Sequence, residues 1–187
     1  KRSISYLVGK GAKSILLDGV PAAVPLYERI GFRRVCRSLR FAGRIQGKSH
    51  RQVRQMQAQD LSAVLELDQK EFGADRGFFL ERRWTLYPEL CRVLEVNGEI
   101  VGFVFGRRGQ GVVSIGPWVA RKLTAYSADL LKDVVLYAGS LDPRLVILET
   151  NTQAVEKAKS LGFAELENPP WRMVLGAPRN LGASSCC

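Results

Sequence analysis

With 187 residues, 46% of them hydrophobic and 25% charged, the chain is long enough to bury a substantial core and too apolar to be disordered throughout. Its 28 Lys and Arg against 18 Asp and Glu leave a formal charge of +10, which favours anionic partners without choosing among nucleic acid, phosphorylated cofactors and acidic surfaces. A single histidine, His50, excludes a Ser-His-Asp triad and paired-histidine zinc sites, and four cysteines with no C-x-x-C spacing argue against a metal cluster or a redox pair.

Taken in chain order, Ser3 to Lys10 reads as the end of an amphipathic helix closed by Gly9 and Gly11. Ser14 to Leu17, ending at Asp18, reads as a short buried strand. Pro21 suits the first turn of a helix through Tyr27 to Ile30, with Gly31 as its stop, and Phe32 to Phe41 is a strand rich in arginine. Gly47 to Gln52 is polar and reads as a linker. Val53 to Met56 then opens a new unit, and Asp60 is placed to cap a helix carrying Leu61, Val64, Leu65 and Leu67.

Gly77 to Leu86 is a second helix of that unit. Cys91 to Val96, Asn97-Gly98 and Ile100 to Phe105 make a strong hairpin pattern, because Asn-Gly accepts the positive φ angles of a type I′ turn. Val112 to Val119 is a strand broken by Gly116-Pro117, which fits a bulge. Ala125 to Ala138 is helical in pattern, Leu145 to Glu149 is a buried strand, Thr152 to Leu161 a helix stopped by Gly162, and Trp171 to Leu175 a last strand before a loose tail.

The charge is unevenly spread. Residues 1–54 hold 13 of the 28 Lys and Arg against only Asp18 and Glu28, so the opening segment is basic and the rest is near neutral. The run Arg33, Arg34, Arg37, Arg40 and Arg44 fits a solvated strand whose arginines protect a sheet edge better than it fits a nucleic-acid surface, because only Phe41 interleaves with it. No apolar run is long enough to span a bilayer, and the cysteine usage suits a reducing, cytoplasmic setting. The start at Lys1 rather than Met reads as a piece of a longer protein.

The chain also repeats itself. A shift of about 131 residues carries Ile15-Leu16-Leu17-Asp18 onto Val146-Ile147-Leu148-Glu149, Ala23-Val24 onto Ala154-Val155, and Gly31-Phe32 onto Gly162-Phe163. Strand, acidic end, helix and Gly-Phe corner share one register, so duplication is the expected reading. The domains that follow are residues 1–46 as the C-terminal half of a first copy, 47–52 as a basic linker, 53–176 as a complete second copy, and 177–187 as a tail.

Leu17-Asp18, Ala23 and Leu26-Tyr27-Glu28-Arg29-Ile30-Gly31-Phe32 resemble the closing strand and helix of the GNAT superfamily of N-acetyltransferases. Leu148-Glu149-Thr150-Asn151, Ala154 and Leu161-Gly162-Phe163 resemble the same pattern in the second unit. The resemblance implies an α/β (α+β) fold, with a mixed, largely antiparallel sheet flanked by helices and a half-copy at the N-terminus. It also implies acetyl-CoA as co-substrate, no metal, and an amine on a small molecule or protein as acceptor.

Carried onto this chain, the resemblance implies a cofactor site at Val119, Ala120, Arg121, Thr124, Ser127 and Asn151. The family's glycine-bearing pyrophosphate loop corresponds to residues 120–127, which hold no glycine, so the close backbone approach that glycine permits is lost and the second unit reads as partly degenerate. The glycine-rich stretch from Gly106 to Gly111 lies between two apolar strands and reads as a hairpin, because phosphate loops open helices. Tyr27 matches the family's proton-donating tyrosine, while the second unit has Ala158 there. Glu149 is the candidate base, and Trp84, Tyr87 and Trp118, with Trp171 beside them, are candidates for lining the acceptor pocket.

The leading expectation is therefore acetyl transfer from acetyl-CoA to an amine. A non-catalytic structural or ligand-sensing module is the alternative, and nucleic-acid binding through the basic segment stands last. Residues 1–46 are too few to fold alone and are expected to dock on the second unit, or on a second chain as a homodimer, through Ile15, Leu17, Leu26 and Ile30.

Overall fold

A computed structural model describes residues 2–121 and 126–177. Helix α1 (Arg2–Gly9) leads into β1 (Ser14–Gly19), a 3₁₀ turn at Pro21–Ala23, α2 (Val24–Arg29) and β2 (Arg33–Ala42). After the polar segment come β3 (Val53–Gln55), α3 (Leu61–Phe72), α4 (Gly77–Leu86), β4 (Cys91–Val96), β5 (Glu99–Arg108) and β6 (Val112–Ala120). Helix α5 (Ser127–Ala138), β7 (Asp142–Leu148), α6 (Thr152–Ser160), the two-residue β8 (Ala164–Glu165) and β9 (Trp171–Gly176) complete the described chain.

The strands form one sheet in the order β1-β9-β2-β7-β6-β5-β4-β3, with β8 paired to β2. Among the described residues only β6 and β7 run parallel, and every other pair is antiparallel. The expected hairpin is present, with Asn97 and Gly98 at φ 52 and 79 joining β4 to β5. A second hairpin joins β5 to β6 through the glycine-rich stretch, so that stretch opens no helix.

The arginine-rich strand is not at an edge. β2 lies inside the sheet, pairing with β9 along Arg33 to Arg37 and with β7 along Ser38 to Ala42. Arg33, Arg34 and Arg40 are nevertheless exposed and Arg37 half-buried: Arg34 pairs with Glu28 at 2.8 Å, and the Arg37 guanidinium lies 3.9 Å from the Trp171 ring centre. Cys36, Ser38, Leu39 and Phe41 are buried.

Packing divides into three apolar clusters. The largest brings α5 residues Leu130, Leu131, Val134 and Val135 against Phe41, Val104, Val113, Trp118, Ile147 and Phe163. The second packs Val64, Leu67 and Leu80 of α3 and α4 on Val93, Phe103, Phe105 and Val119. The third gathers Val24, Phe32 and Met173, with Ile15, Leu17 and Ile30 against them; Leu26, expected on that docking face, is instead 52% exposed.

Two further readings change. Asp60 does not cap α3 with its side chain; it accepts from the Gln57 N–H at 2.7 Å and from Arg54 Nη1 at 2.6 Å. The segment 47–52 is no free linker, since the Lys48 N–H donates to the Lys132 carbonyl at 3.2 Å and His50 lies against Tyr126 at 5.1 Å between ring centres. Gly47 passes so close to α5 that a Cβ there would come within 2.6 Å of Leu136 Cα.

Under that segment, Arg92 and Asp133 form an ion pair at 2.7 Å with side chains 1% and 3% exposed. Tyr137 stacks on the guanidinium at 3.7 Å. Burial pushes the Asp133 carboxyl up, against the pull of Arg92 and a hydrogen bond from Ser49.

Candidate active site

The parallel pair β6–β7 creates the site by coming apart. Pairing runs from Val112 opposite Asp142 to Ile115 opposite Leu145 and stops there. Between the pairs Ile115–Gly106 and Trp118–Val104, β6 has Gly116 and Pro117 where β5 has only Phe105, so an extra residue bends β6 at that point. Gly116 adopts φ 152, which accounts for a glycine at the bend. Beyond it, the β7-facing edge of β6 has no ladder partner among the described residues, and its backbone groups are free to meet a ligand.

Helix α5 starts at the open end of this cleft. The Trp118 indole N–H donates to the Ser127 carbonyl at 3.0 Å, tying the first residue of α5 to the end of β6. The Ser127 hydroxyl is fully buried and has no hydrogen-bond partner among the described residues. The first-turn N–H groups of a helix also lack internal acceptors and carry the positive end of its dipole. Asp129 in that turn is offset by Lys132 at 3.3 Å.

Val119 and Ala120 are buried at the end of β6, where Val119 belongs to the cluster under α3 and α4. Arg121 extends the ladder, its N–H donating to the Val101 carbonyl at 2.7 Å, and its guanidinium is engaged by Glu99. Thr124 lies outside the described residues. Asn151 is buried and accepts from the Ala154 N–H at 3.2 Å, so its carbonyl oxygen caps α6. Glu149 is exposed and accepts from the Arg37 N–H at 2.7 Å.

Tyr27 stands apart from the β6 and α5 residues. Its ring packs edge-on against Phe32 at 5.8 Å, in the cluster beside β1. In the sheet, β9, β2 and β7 separate β1 from β6, roughly 19 Å at ordinary strand spacing. The three aromatic candidates also divide: Tyr87 and Trp118 contribute to the cluster under α5, and Trp84 to the one under α3 and α4.

One residue near the cleft escapes a sequence reading. Arg83 reaches from α4 to the Gly116 carbonyl at 3.2 Å, at the bend where β6 leaves β7. Its helical position gives it no local motif; only the fold brings it to β6.

The sequence profile of the acetyltransferase (GNAT) domain matches residues 64–185. Among solved structures, a Pyrococcus horikoshii protein assigned as an acetyltransferase superposes on 97% of this chain and 60% of its own, at 24% identity and a TM-score of 0.74. A GCN5-related N-acetyltransferase from Sphaerobacter thermophilus does so over 91% and 62%, at 18% identity and a TM-score of 0.67. Ard1 from Thermoplasma volcanium covers 68% of this chain and 97% of its own, at 17% identity and a TM-score of 0.56. At these identities the likeness is one of fold, and the chain spans about three fifths of the length of the first two. A search of curated proteins finds no match. The profile match covers well over half of the chain, and the chain belongs to the GNAT acetyltransferase family.

Proposed function

We propose that this chain is an N-acetyltransferase domain that moves an acetyl group from acetyl-CoA to the amine of a small-molecule or protein acceptor. The observation that carries this is the Ser127 hydroxyl, wholly buried and without a partner among the described residues, at the first residue of α5 beside the gap between β6 and β7. A buried polar group without a partner costs about 1–3 kcal/mol, so a site that keeps one is explained by a ligand that satisfies it. A phosphate oxygen of the cofactor is such an acceptor, and the residues fit the group.

Acetyl-CoA supplies the activated thioester. Ser127 and the first turn of α5 bind its anionic part, and the unpaired edge of β6 orients the acyl arm. The Trp118 indole fixes the distance between those two parts. Isothermal titration of acetyl-CoA into the chain tests the reading; absence of binding overturns it.

We also read residues 1–46 as the closing half of one copy and 53–176 as a second. Supporting this, the Gly-Phe corners match in detail: Gly31 and Gly162 adopt φ 95 and 94, and the Phe32 and Phe163 N–H groups donate to the Tyr27 and Ala158 carbonyls, each at 3.1 Å. The closing strands also cross over, with β9 beside β1 and β2 beside β7.

A second reading has one observation of its own. Ala158, at the place of Tyr27, is fully buried and carries no proton to donate, while Glu149 is held by Arg37. A unit that binds acetyl-CoA without turning it over, shaping an acceptor site or sensing the ligand, fits that pair. Release of CoA with a panel of amines separates the two readings.

A further inference from the structure

The helices cover the two faces of the sheet unequally. On one face α5 packs over Phe41, Val113, Ile115, Leu145 and Ile147. On the other, α3 and α4 cover β4, β5 and Val119, while Arg40 and Val146 farther along are exposed. The ladder fixes what stands on that open stretch: Ala42 of β2 is opposite Arg144 of β7, and Arg144 is opposite Ser114 of β6. Directly opposed residues share a face, and their neighbours Phe41, Leu145 and Ile115 point to α5, so Ala42, Arg144 and Ser114 lie on the uncovered side.

A cavity of about 200 Å³ opens here, lined by Ala42, Gly43, Arg44, Asp142 and Arg144. The methyl group of Ala42 leaves room that a longer side chain opposite Arg144 would fill. A Cβ on Gly43 would come within 2.8 Å of the Gly162 carbonyl oxygen, so the wall between Ala42 and Arg44 is held against the second Gly-Phe corner. Arg44 and the half-buried Arg144 both line the space. Arg40, opposite Val146, stands diagonal to Arg144, roughly 7–8 Å away and within reach of a long side chain. The carboxylate in the lining is that of Asp142, 3.5 Å from Arg44. Glu165, opposite Phe41, belongs to the other face and pairs with Lys159 at 3.1 Å.

We propose that this cavity binds a phosphate dianion, free or as a monoester, gripped by Arg144 and Arg44 with Arg40 at its rim. Three guanidinium groups less one carboxylate leave two positive charges, which a dianion neutralises and a carboxylate ligand does not. The planar forks of arginine also match the oxygens of a phosphate in bidentate geometry. The site is distinct from the anion site at Ser127, because α5 lies on the opposite face of the sheet.

Inorganic phosphate and methyl phosphate are titrated into the full chain by phosphorus NMR at about pH 8, where both are dianions, with acetate as the monoanion control. Phosphate should bind at least about tenfold more tightly than acetate, and Arg144→Gln should weaken it about tenfold. Arg40→Gln, at an exposed position, weakens it less. Asp142→Asn removes the competing carboxylate and tightens binding, a gain that loss of a structural contact would not give. Should Arg144→Gln fail to fold, Arg40→Gln and Asp142→Asn carry the test. Methyl phosphate binding as well as the free ion marks a monoester site, and its exclusion marks a site for inorganic phosphate. The proposal is overturned if phosphate does not bind, if acetate matches it, if the Arg40 and Asp142 variants leave binding unchanged, or if Asp142→Asn weakens it. Displacement of phosphate by saturating acetyl-CoA would also overturn it, by giving the cavity to the cofactor.

Discussion

Trp118 and Ser127 are joined by a buried hydrogen bond of 3.0 Å, and through it the end of β6 holds the first residue of α5. The Ser127 hydroxyl beside it has no partner among the described residues. Ser127→Ala should therefore raise stability, by up to about 1 kcal/mol, while weakening acetyl-CoA about fivefold. Trp118→Phe should lower stability by about 1–2 kcal/mol, because the Ser127 carbonyl loses its donor. Urea unfolding and calorimetric titration read the two effects; a Ser127→Ala variant that loses stability and keeps full affinity would contradict the assignment.

The ion pair between Arg92 and Asp133 is a different kind of buried contact. Arg92→Met leaves a buried carboxylate without its cation and should cost about 3–5 kcal/mol, whereas Arg92→Met combined with Asp133→Leu should recover most of the loss. The Asp133 carboxyl is already raised by burial, so the folded protein binds its proton more readily than the unfolded chain does. That contribution is present below the ordinary carboxylate range and lost as pH rises through the folded value. Removing Arg92 raises the folded Asp133 value further, so the Arg92→Met penalty should shrink as pH falls from neutral towards about 4 and level off below it, as measured by unfolding at several pH values.

Asp60 has the opposite sign. The hydrogen bond from Arg54, and next the N–H of Gln57, hold its carboxyl below the usual range against the effect of burial. Its stabilisation is present above the unfolded carboxylate value and lost as pH falls through the folded one. Asp60→Asn should flatten that part of the acid limb and cost about 1–2 kcal/mol at pH 7, a modest figure because Arg54 is partly solvated.

Gly47→Ala tests whether segment 47–52 is packed on α5 in solution. The added Cβ would meet Leu136 Cα at 2.6 Å, and backbone does not yield as a side chain would. A loss of about 1–3 kcal/mol is expected, with faster hydrogen exchange along residues 127–138. Unchanged exchange there would mean that the segment does not rest on the helix.

Cys91 is fully buried, and its thiol is pushed up to about 12, chiefly by burial. At pH 8 about one molecule in 10⁴ would carry the thiolate. Cys36 is raised for the same leading reason. Neither should be labelled by a disulfide reagent until the protein unfolds, as mapped residue by residue by mass spectrometry.

Much of the fold is legible locally. The period of Leu61 to Leu67, the Asn97-Gly98 turn, the break at Gly116-Pro117 and the two Gly-Phe corners each follow from backbone preferences acting within a few residues. Asn151 was legible only in part: its residue type suits a cap as well as a ligand contact, and the Ala154 N–H that it accepts identifies the cap. Arg83 was not legible at all, because nothing within its helix distinguishes it from Arg82.

From the sequence alone come the secondary elements, the likeness of two segments 131 residues apart, a single histidine and a family resemblance that the profile match bears out. These depend on short-range sterics, periodicity and residue chemistry, which a linear string contains in full. Tertiary structure alone decided that β2 lies inside the sheet, that the polar segment rests on α5, that β9, β2 and β7 stand between the β1 cluster holding Tyr27 and β6, and that Arg83 meets Gly116. Those are pairings between distant residues, and which strand fills the place between β9 and β7 is chosen by mutual burial and ladder hydrogen bonds that no local pattern encodes.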